Sequence, residues 1–282
     1  MRNTFSVFIL LALGGFFLVA LPVRASTSTV ATYDRKEGEF VSAMVIDPKT
    51  NKMLWSYQPD KQMSAASLTK MMSAVVAIEA GLPWTKIMKL QKAEQVGGAE
   101  IPMKVGSRLS VQDAFYGAMI ASANNATLLF SRATGLSQKN FIARMNKRAK
   151  KLGMKNSTFT DPSGLKISNQ STARDIALLA KAAFAKPPVR AAMLRGSHTM
   201  RLVGTKKVVT VKNTDRLLTK DPEVLVSGGK TGFLPDVGYH LAVKLRPANG
   251  KGKELLVVVM GVPTYRGAFA SAKSLAEWAW NQ

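Results

Sequence analysis

The pattern that most constrains this chain is the placement of its strand-forming segments at the two ends, with a helical middle between them. Residues 40–47 and 52–57 are β-rich runs on either side of a turn cluster at 48–51, which together read as a hairpin. Residues 238–246 and 254–261 flank Pro247-Ala248-Asn249-Gly250 and read as a second hairpin, while 206–211 is rich in β-branched residues. Between these regions the apolar spacing changes to three and four. Leu68, Met71, Met72, Val75 and Ile78 predict a helix that begins near Ser67 and is stopped by Gly81 and Pro83. Ser110 is placed to cap a helix running towards Ser122, with Asp113 favouring its positive end. Further helices are predicted at 138–152 and 172–185, a shift towards strands after Pro188, and a last helix at 271–280. Strands at both ends with helices between imply an α/β architecture, a sheet-and-helix layer joined to a helical subdomain.

The 282 residues are 46% hydrophobic and 20% charged, which fits one or two globular domains rather than a disordered chain. There is no cysteine, so disulfides, thiolate metal sites and a cysteine nucleophile are excluded. Residues 1–25 read as a signal peptide: Arg2 supplies a positive start, residues 5–21 are almost wholly apolar, and Val23 and Ala25 fit a cleavage site before Ser26. The alternative is an uncleaved anchor near the lower length limit for a span. Both place the body of the protein outside the cytoplasm, in the periplasm or on the outer face of the cytoplasmic membrane. Residues 26–39 are polar and read as a flexible leader. The formal net charge is +23, and losing residues 1–25 removes only Arg2 and Arg24 of the cations. Such a field attracts polyanions. For an exported chain this argues for anionic envelope polymers and against nucleic acid, although net charge selects no specific site.

Three short motifs carry chemistry. In Ser67-Leu68-Thr69-Lys70 the serine and lysine fall on one helical face, with β-carbons about 5–6 Å apart. A serine hydroxyl becomes a nucleophile when a base takes its proton, and a lysine is that base only if burial or nearby positive charge lowers its pKa. The spacing alone is weak, because Ser163–Lys166 and Ser227–Lys230 share it; only Ser67 opens an amphipathic helix. Ser122-Ala123-Asn124 is the sole Ser-x-Asn, at a helix-to-loop junction, and by itself reads as a cap or turn. Lys230-Thr231-Gly232 follows Gly228 and Gly229 on a probable strand, where glycine permits close approach of a substrate backbone. The lysine and threonine side by side can hold a carboxylate. In order, the three form the set of penicillin-binding proteins and class A β-lactamases, with Ala123 at the usual Asp position of the second.

The chain resembles the low-molecular-mass penicillin-binding proteins of the D-alanyl-D-alanine carboxypeptidase and endopeptidase family. The likeness runs through residues 66–72, 106–111, 120–126, 161–165, 171–175, 213–218 and 229–232, and covers residues 40–280. It implies a β-lactamase- and transpeptidase-like fold, a mainly antiparallel sheet flanked by helices with a helical subdomain inserted, and a catalytic domain over residues 40–282. It implies hydrolysis of peptidoglycan stem peptides, with β-lactams as covalent inhibitors. Ser67 would attack the D-alanyl carbonyl, Lys70 act as base and Ser122 relay a proton to the leaving amine. Asn124 would hold the peptide, Lys230 and Thr231 would bind the terminal carboxylate with Gly232 beside them in the substrate-binding set, and the backbone N–H groups of Ser67 and Phe233 would form the oxyanion hole. No metal or cofactor is implied, and His198 and His240 are too few for a typical zinc site.

Three features depart from the family pattern. Phe233 follows Lys-Thr-Gly where His or Thr is common, and Asp215 stands for an Asn. The β-rich second domain and amphipathic helix of many relatives do not fit after the final helix. The compact length and the block at 161–165 lean towards the cross-link-cutting endopeptidases. A β-lactamase is disfavoured because Glu223 is the only glutamate between Ser122 and Lys230, and class A enzymes deacylate with a Glu. A binding protein of the same fold without catalysis is the remaining alternative.

Overall fold

The computed structural model describes residues 33–36 and 39–282. The signal-peptide reading of residues 1–25 falls outside the described residues, as does most of the leader. Within the leader, Tyr33 packs edge-on against Trp55 and Trp278, with centroids 5.4 Å and 6.4 Å away.

Strand β1 (Ser42–Ile46) returns through a turn into β2 (Met53–Tyr57), the predicted hairpin. A two-residue β3 (Met63–Ser64) leads to a 3₁₀ turn, Ala66–Leu68, and then to helix α1 (Thr69–Glu79). The ribbon of β4 (Ile87–Lys89) and β5 (Arg108–Ser110) precedes α2 (Val111–Ile120) and α3 (Asn124–Ala133). Helix α4 (Gln138–Lys151) follows, then β6 (Gln170–Ser171), which pairs with β3, and helices α5 (Ala173–Phe184) and α6 (Pro187–Met193). A second ribbon, β7 (Ser197–Arg201) with β8 (Val208–Lys212), leads to α7 (Arg216–Lys220). The chain ends with β9 (Val224–Leu234), β10 (Gly238–Pro247), β11 (Leu255–Val262) and α8 (Tyr265–Trp280).

The five long strands form one sheet in the order β2-β1-β11-β10-β9, every pair antiparallel. Both ends of the chain thus build it, as the strand pattern implied. Every residue of β1 is buried, because the sheet is covered on both faces. Met44, Ile46, Leu256, Val258 and Met260 point to the side where α1 and α5 lie. Their neighbours Val45, Leu255, Val257 and Val259 point the other way, against Ala272, Leu275 and Ala276 of α8. This is the two-residue period of a strand expressed in two cores. Each large apolar side chain fully buried in them contributes roughly 1.5–3 kcal/mol.

Some elements differ from expectation. Ser67 lies in the 3₁₀ turn, not in the helix proper, which starts at Thr69. Nor is α1 amphipathic in place: Thr69 to Ala77 are buried all round, since neighbouring helices cover its polar side too. Ser122 stands between two helices rather than at the edge of a loop, because Ala126, Leu129, Phe130 and Ala133 give α3 its own buried stripe. Pro187 and Pro188 start α6 rather than ending helical structure; proline at a first helical turn loses no hydrogen bond and has its φ already set. Helix α8 starts six residues before position 271, capped by Thr264, whose Oγ1 accepts the N–H of Gly267 at 3.0 Å. The predicted cap at Ser110 is present, accepting the N–H of Asp113 at 3.0 Å.

Candidate active site

The 3₁₀ turn carrying Ser67 is held by unusual backbone. Ala66 has φ +45°, and Ser122 across the cleft has φ +59°. Four non-glycine residues among those described have positive φ, and these two flank one cavity. Such conformations cost of order 1–3 kcal/mol each and persist where surrounding structure enforces them. Gly164 enforces the first: at φ +84° it lies so close to the turn that a β-carbon there would stand 2.0 Å from the Ala66 carbonyl oxygen.

Lys70, one turn after Ser67, is completely buried. Its Nζ is 2.9 Å from Ser67 Oγ, 2.6 Å from Asn124 Oδ1 and 2.6 Å from the carbonyl oxygen of Ser163. Burial holds this amine well below the usual lysine range, the Lys230 ammonium pushes the same way, and Asp161 pulls it partly back. A neutral amine has two N–H groups and one lone pair. Ser163 O and Asn124 Oδ1 accept only, so they take the two N–H groups and leave the lone pair for the Ser67 hydroxyl. This orients a proton acceptor on the serine.

Ser163 is fixed by Asp161. The Asp161 carboxylate accepts the N–H groups of Ser163 at 2.7 Å, Gly164 at 2.9 Å and Lys166 at 2.9 Å, with Asn169 Nδ2 at 2.6 Å. Pro162 O accepts Ser73 Oγ from the next turn of α1 at 2.6 Å. Asn124 is fixed in turn, its Nδ2 donating to Gly97 O at 2.8 Å.

Lys230 lies on β9, the edge strand, whose outer backbone groups have no sheet partner. Its Nζ donates to Ser122 Oγ at 2.8 Å and Thr231 O at 2.8 Å. Burial pushes its pKa down to about 7 against the pull of Asp215. Asp215 caps α7, its Oδ1 accepting the N–H of Leu217 at 2.9 Å and of Leu218 at 3.3 Å. Its Oδ2 is buried without a hydrogen-bond partner over Gly229, and burial raises its pKa to about 6. Thr231 Oγ1 meets Thr214 Oγ1 at 2.6 Å. Gly232 passes the nucleophile turn at contact distance: a β-carbon there would touch Leu68 N at 3.4 Å. That brings Phe233, the next residue on the strand, beside Ser67.

A cavity of about 360 Å³ is lined by Ser67, Ser122, Asn124, Thr231, Gly232 and Phe233 together with other residues. Six of the eight predicted site residues therefore line one cavity, and the other two, Lys70 and Lys230, sit directly behind its wall, bonded to Ser67 and Ser122. Sequence reasoning missed three contributors: the carbonyls of Ser163 and Gly97, and Thr214. The blocks at 161–165 and 213–218 contain Ser163 and Thr214 but do not indicate which of their groups accept, and Gly97 lies outside every motif.

Known proteins similar to this chain fall in one family. The family model described as D-alanyl-D-alanine carboxypeptidase, Peptidase S11, matches residues 29–264. The D-alanyl-D-alanine endopeptidase of Escherichia coli K12 is 30% identical over 256 residues, 90% of this chain and 81% of that one. The carboxypeptidase DacF of Bacillus subtilis is 30% identical over 252 residues, 86% of this chain and 63% of that one. Among solved structures, the Streptomyces K15 DD-transpeptidase is similar with a TM-score of 0.78 and 23% identity, over 89% of this chain and 100% of that one. A D-alanyl-D-alanine carboxypeptidase from Mycobacterium tuberculosis H37Rv gives 0.75 and 24%, over 88% and 93%. At those identities the structural likeness speaks for the fold, and the sequence matches speak for the family. Taken with the order of the three motifs around one cleft, they show that the chain belongs to the D-alanyl-D-alanine carboxypeptidase family of penicillin-binding serine peptidases.

Proposed function

We propose that this chain hydrolyses D-alanyl peptide bonds of peptidoglycan stem peptides through an acyl-enzyme on Ser67. The observation that carries the reading is the buried Lys70 amine, whose Nζ lies 2.9 Å from Ser67 Oγ, with Asn124 Oδ1 and Ser163 O as its other partners and its pKa lowered by burial. Lys70 takes the hydroxyl proton as Ser67 Oγ attacks the carbonyl carbon of the D-alanine. The oxyanion that forms is received by the backbone N–H groups of Ser67 and Phe233. The C–N bond then breaks, and Ser122, bonded to Lys230, passes a proton to the departing nitrogen. Lys230 and Thr231 hold a carboxylate on the leaving side, where Gly232 lets the backbone approach, and Asn124 holds the acyl side. Water then cleaves the ester and restores Ser67. The catalytic domain on this reading is residues 40–282, with residues 1–25 as its export signal and residues 26–39 as leader. The protein works in the periplasm or on the outer face of the cytoplasmic membrane, and the cationic surface meets anionic envelope polymers there.

Labelling with a fluorescent penicillin tests the proposal. A covalent label on the wild type that Ser67→Ala abolishes is the expected result; a label that persists in Ser67→Ala refutes it. Muropeptide digestion then reads which bond is cut, since D-alanine release marks a carboxypeptidase and conversion of dimers to monomers an endopeptidase. No Asp or Glu lines the cleft to drive fast deacylation, so steady turnover of a chromogenic cephalosporin would point instead to a β-lactamase.

A further inference from the structure

Beyond Thr231 the wall of the cleft is aromatic. Phe233 stacks on Tyr239 with centroids 4.3 Å apart and an interplanar angle of 25°. Tyr239 meets Tyr265 at 5.8 Å, and Tyr265 meets Phe269 edge-on at 5.0 Å. These four rings come from β9, β10 and α8, so three separate elements converge on one surface of the cavity. Phe233 is 45% exposed, a large apolar face left open to the cleft. No Lys, Arg, Asp or Glu lines the cavity. The wall is continuous with the end of the cleft that holds Lys230 and Thr231. The Tyr265 hydroxyl donates to Thr214 O at 2.6 Å, and Thr214 Oγ1 meets Thr231 Oγ1 at 2.6 Å.

We propose that this aromatic wall is a leaving-group subsite, which selects amines whose α-carbon carries an aliphatic chain longer than the methyl of alanine. The inference rests on the peptidase reading above, which places the leaving amine at the Ser122, Lys230 and Thr231 end. A methyl group covers little of a surface built from four rings. A longer chain covers more, and each methylene taken out of water strengthens binding roughly fourfold. A cationic side chain is refused, because it would lose its hydration with no carboxylate on the wall to receive it. A bond whose amine side is a longer residue, as between two stem peptides, therefore suits the site better than a terminal D-alanine.

Two acyl dipeptides test this, one ending D-alanyl-D-alanine and one ending D-alanyl-D-norleucine, with penicillin labelling run in parallel. The expected result is a kcat/KM at least about tenfold higher for the norleucine peptide, given three added methylenes at roughly fourfold each. In Tyr239→Ala that ratio is expected to fall below about threefold, on the loss of one ring of the wall. Equal rates in the wild type overturn the subsite, and so does a ratio that Tyr239→Ala leaves intact. Absence of both label and hydrolysis overturns the peptidase reading and the subsite with it, whereas labelling and hydrolysis without preference overturn the subsite alone. Should Tyr239→Ala not fold, the wild type still decides. D-norleucine is expected to slow penicillin labelling at about tenfold lower concentration than D-alanine, by the same count of methylenes. Equal concentrations overturn the proposal.

Discussion

Replacing Gly164 by alanine is expected to disable the enzyme from outside the reacting groups. The new β-carbon would stand 2.0 Å from Ala66 O and 2.6 Å from Ala66 C, both backbone atoms. Ordinary contact requires more than about 3 Å, so the 161–166 loop and the Ser67 turn have to separate by roughly 1 Å. The backbone is also wrong for an L-residue: φ is +84°, a left-handed conformation that costs about 1–2 kcal/mol. Overpacking adds about 1–3 kcal/mol. Together these predict a loss of roughly 2–5 kcal/mol and a melting temperature lower by about 5–15 °C for a domain of this size. The catalytic loss comes from the neighbouring residue. Ser163 O binds Lys70 Nζ at 2.6 Å, and moving it about 1 Å frees one N–H and turns the lone pair away from Ser67. Misplacement on that scale costs about 10²-fold. The assay is the second-order rate of acylation by fluorescent penicillin at a temperature where both proteins remain folded, beside a thermal melt. A variant that melts lower yet acylates within threefold of wild type would refute the link from loop to lysine.

The titrating groups make two further predictions. On the proposed mechanism Lys70 must be neutral to accept a proton and Lys230 charged to hold a carboxylate, so acylation is expected to rise as Lys70 deprotonates and fall above pH about 7 as Lys230 does. Asp215 raises the Lys230 pKa; Asp215→Asn should therefore move the falling limb of the acylation rate to lower pH, and an upward shift would contradict the pairing. His240 is buried, Nε2 donating to Ser64 O at 3.0 Å and Nδ1 accepting Gly261 N–H at 2.9 Å. Burial lowers its pKa from 6.5 to about 4. Between those values the unfolded chain binds a proton that the folded one refuses, so stability declines as pH falls from 6.5 to 4, by up to about 3 kcal/mol. Urea midpoints across that range should show the decline in wild type and a shallower one in His240→Gln; parallel curves would exclude His240 as the cause.

The motifs and the fold class were legible because each had a local signature. Ser67 and Lys70 are one helical turn apart, and Ser110 caps within its own first turn. The hairpins at 42–57 and 238–262 announced themselves by β-rich runs around turn residues. Other features had none. Helix α3 opens on Asn124-Asn125, which reads as a loop, and α8 on Arg266-Gly267, where glycine weakens a helical pattern. Asp215 could be noted as unusual, but not that its Oδ2 would be buried over Gly229.

Ser67 shows where the division falls. Three Ser-x-x-Lys runs occur in this chain, and the sequence by itself determined which of them stands first in the order of motifs and at the head of a helix. It also determined the chemistry available: a hydroxyl, two amines and no thiol. Only the tertiary structure decided that Lys70 would be buried beside Ser67 with its pKa lowered. A lysine loses its proton when it is removed from water and its N–H groups are taken by acceptors. Here the acceptors are Ser163, 93 residues on, and Asn124, 54 residues on. Desolvation and long-range hydrogen bonding exist only once the chain has brought those residues around one amine, which is why no reading of spacing alone supplies them.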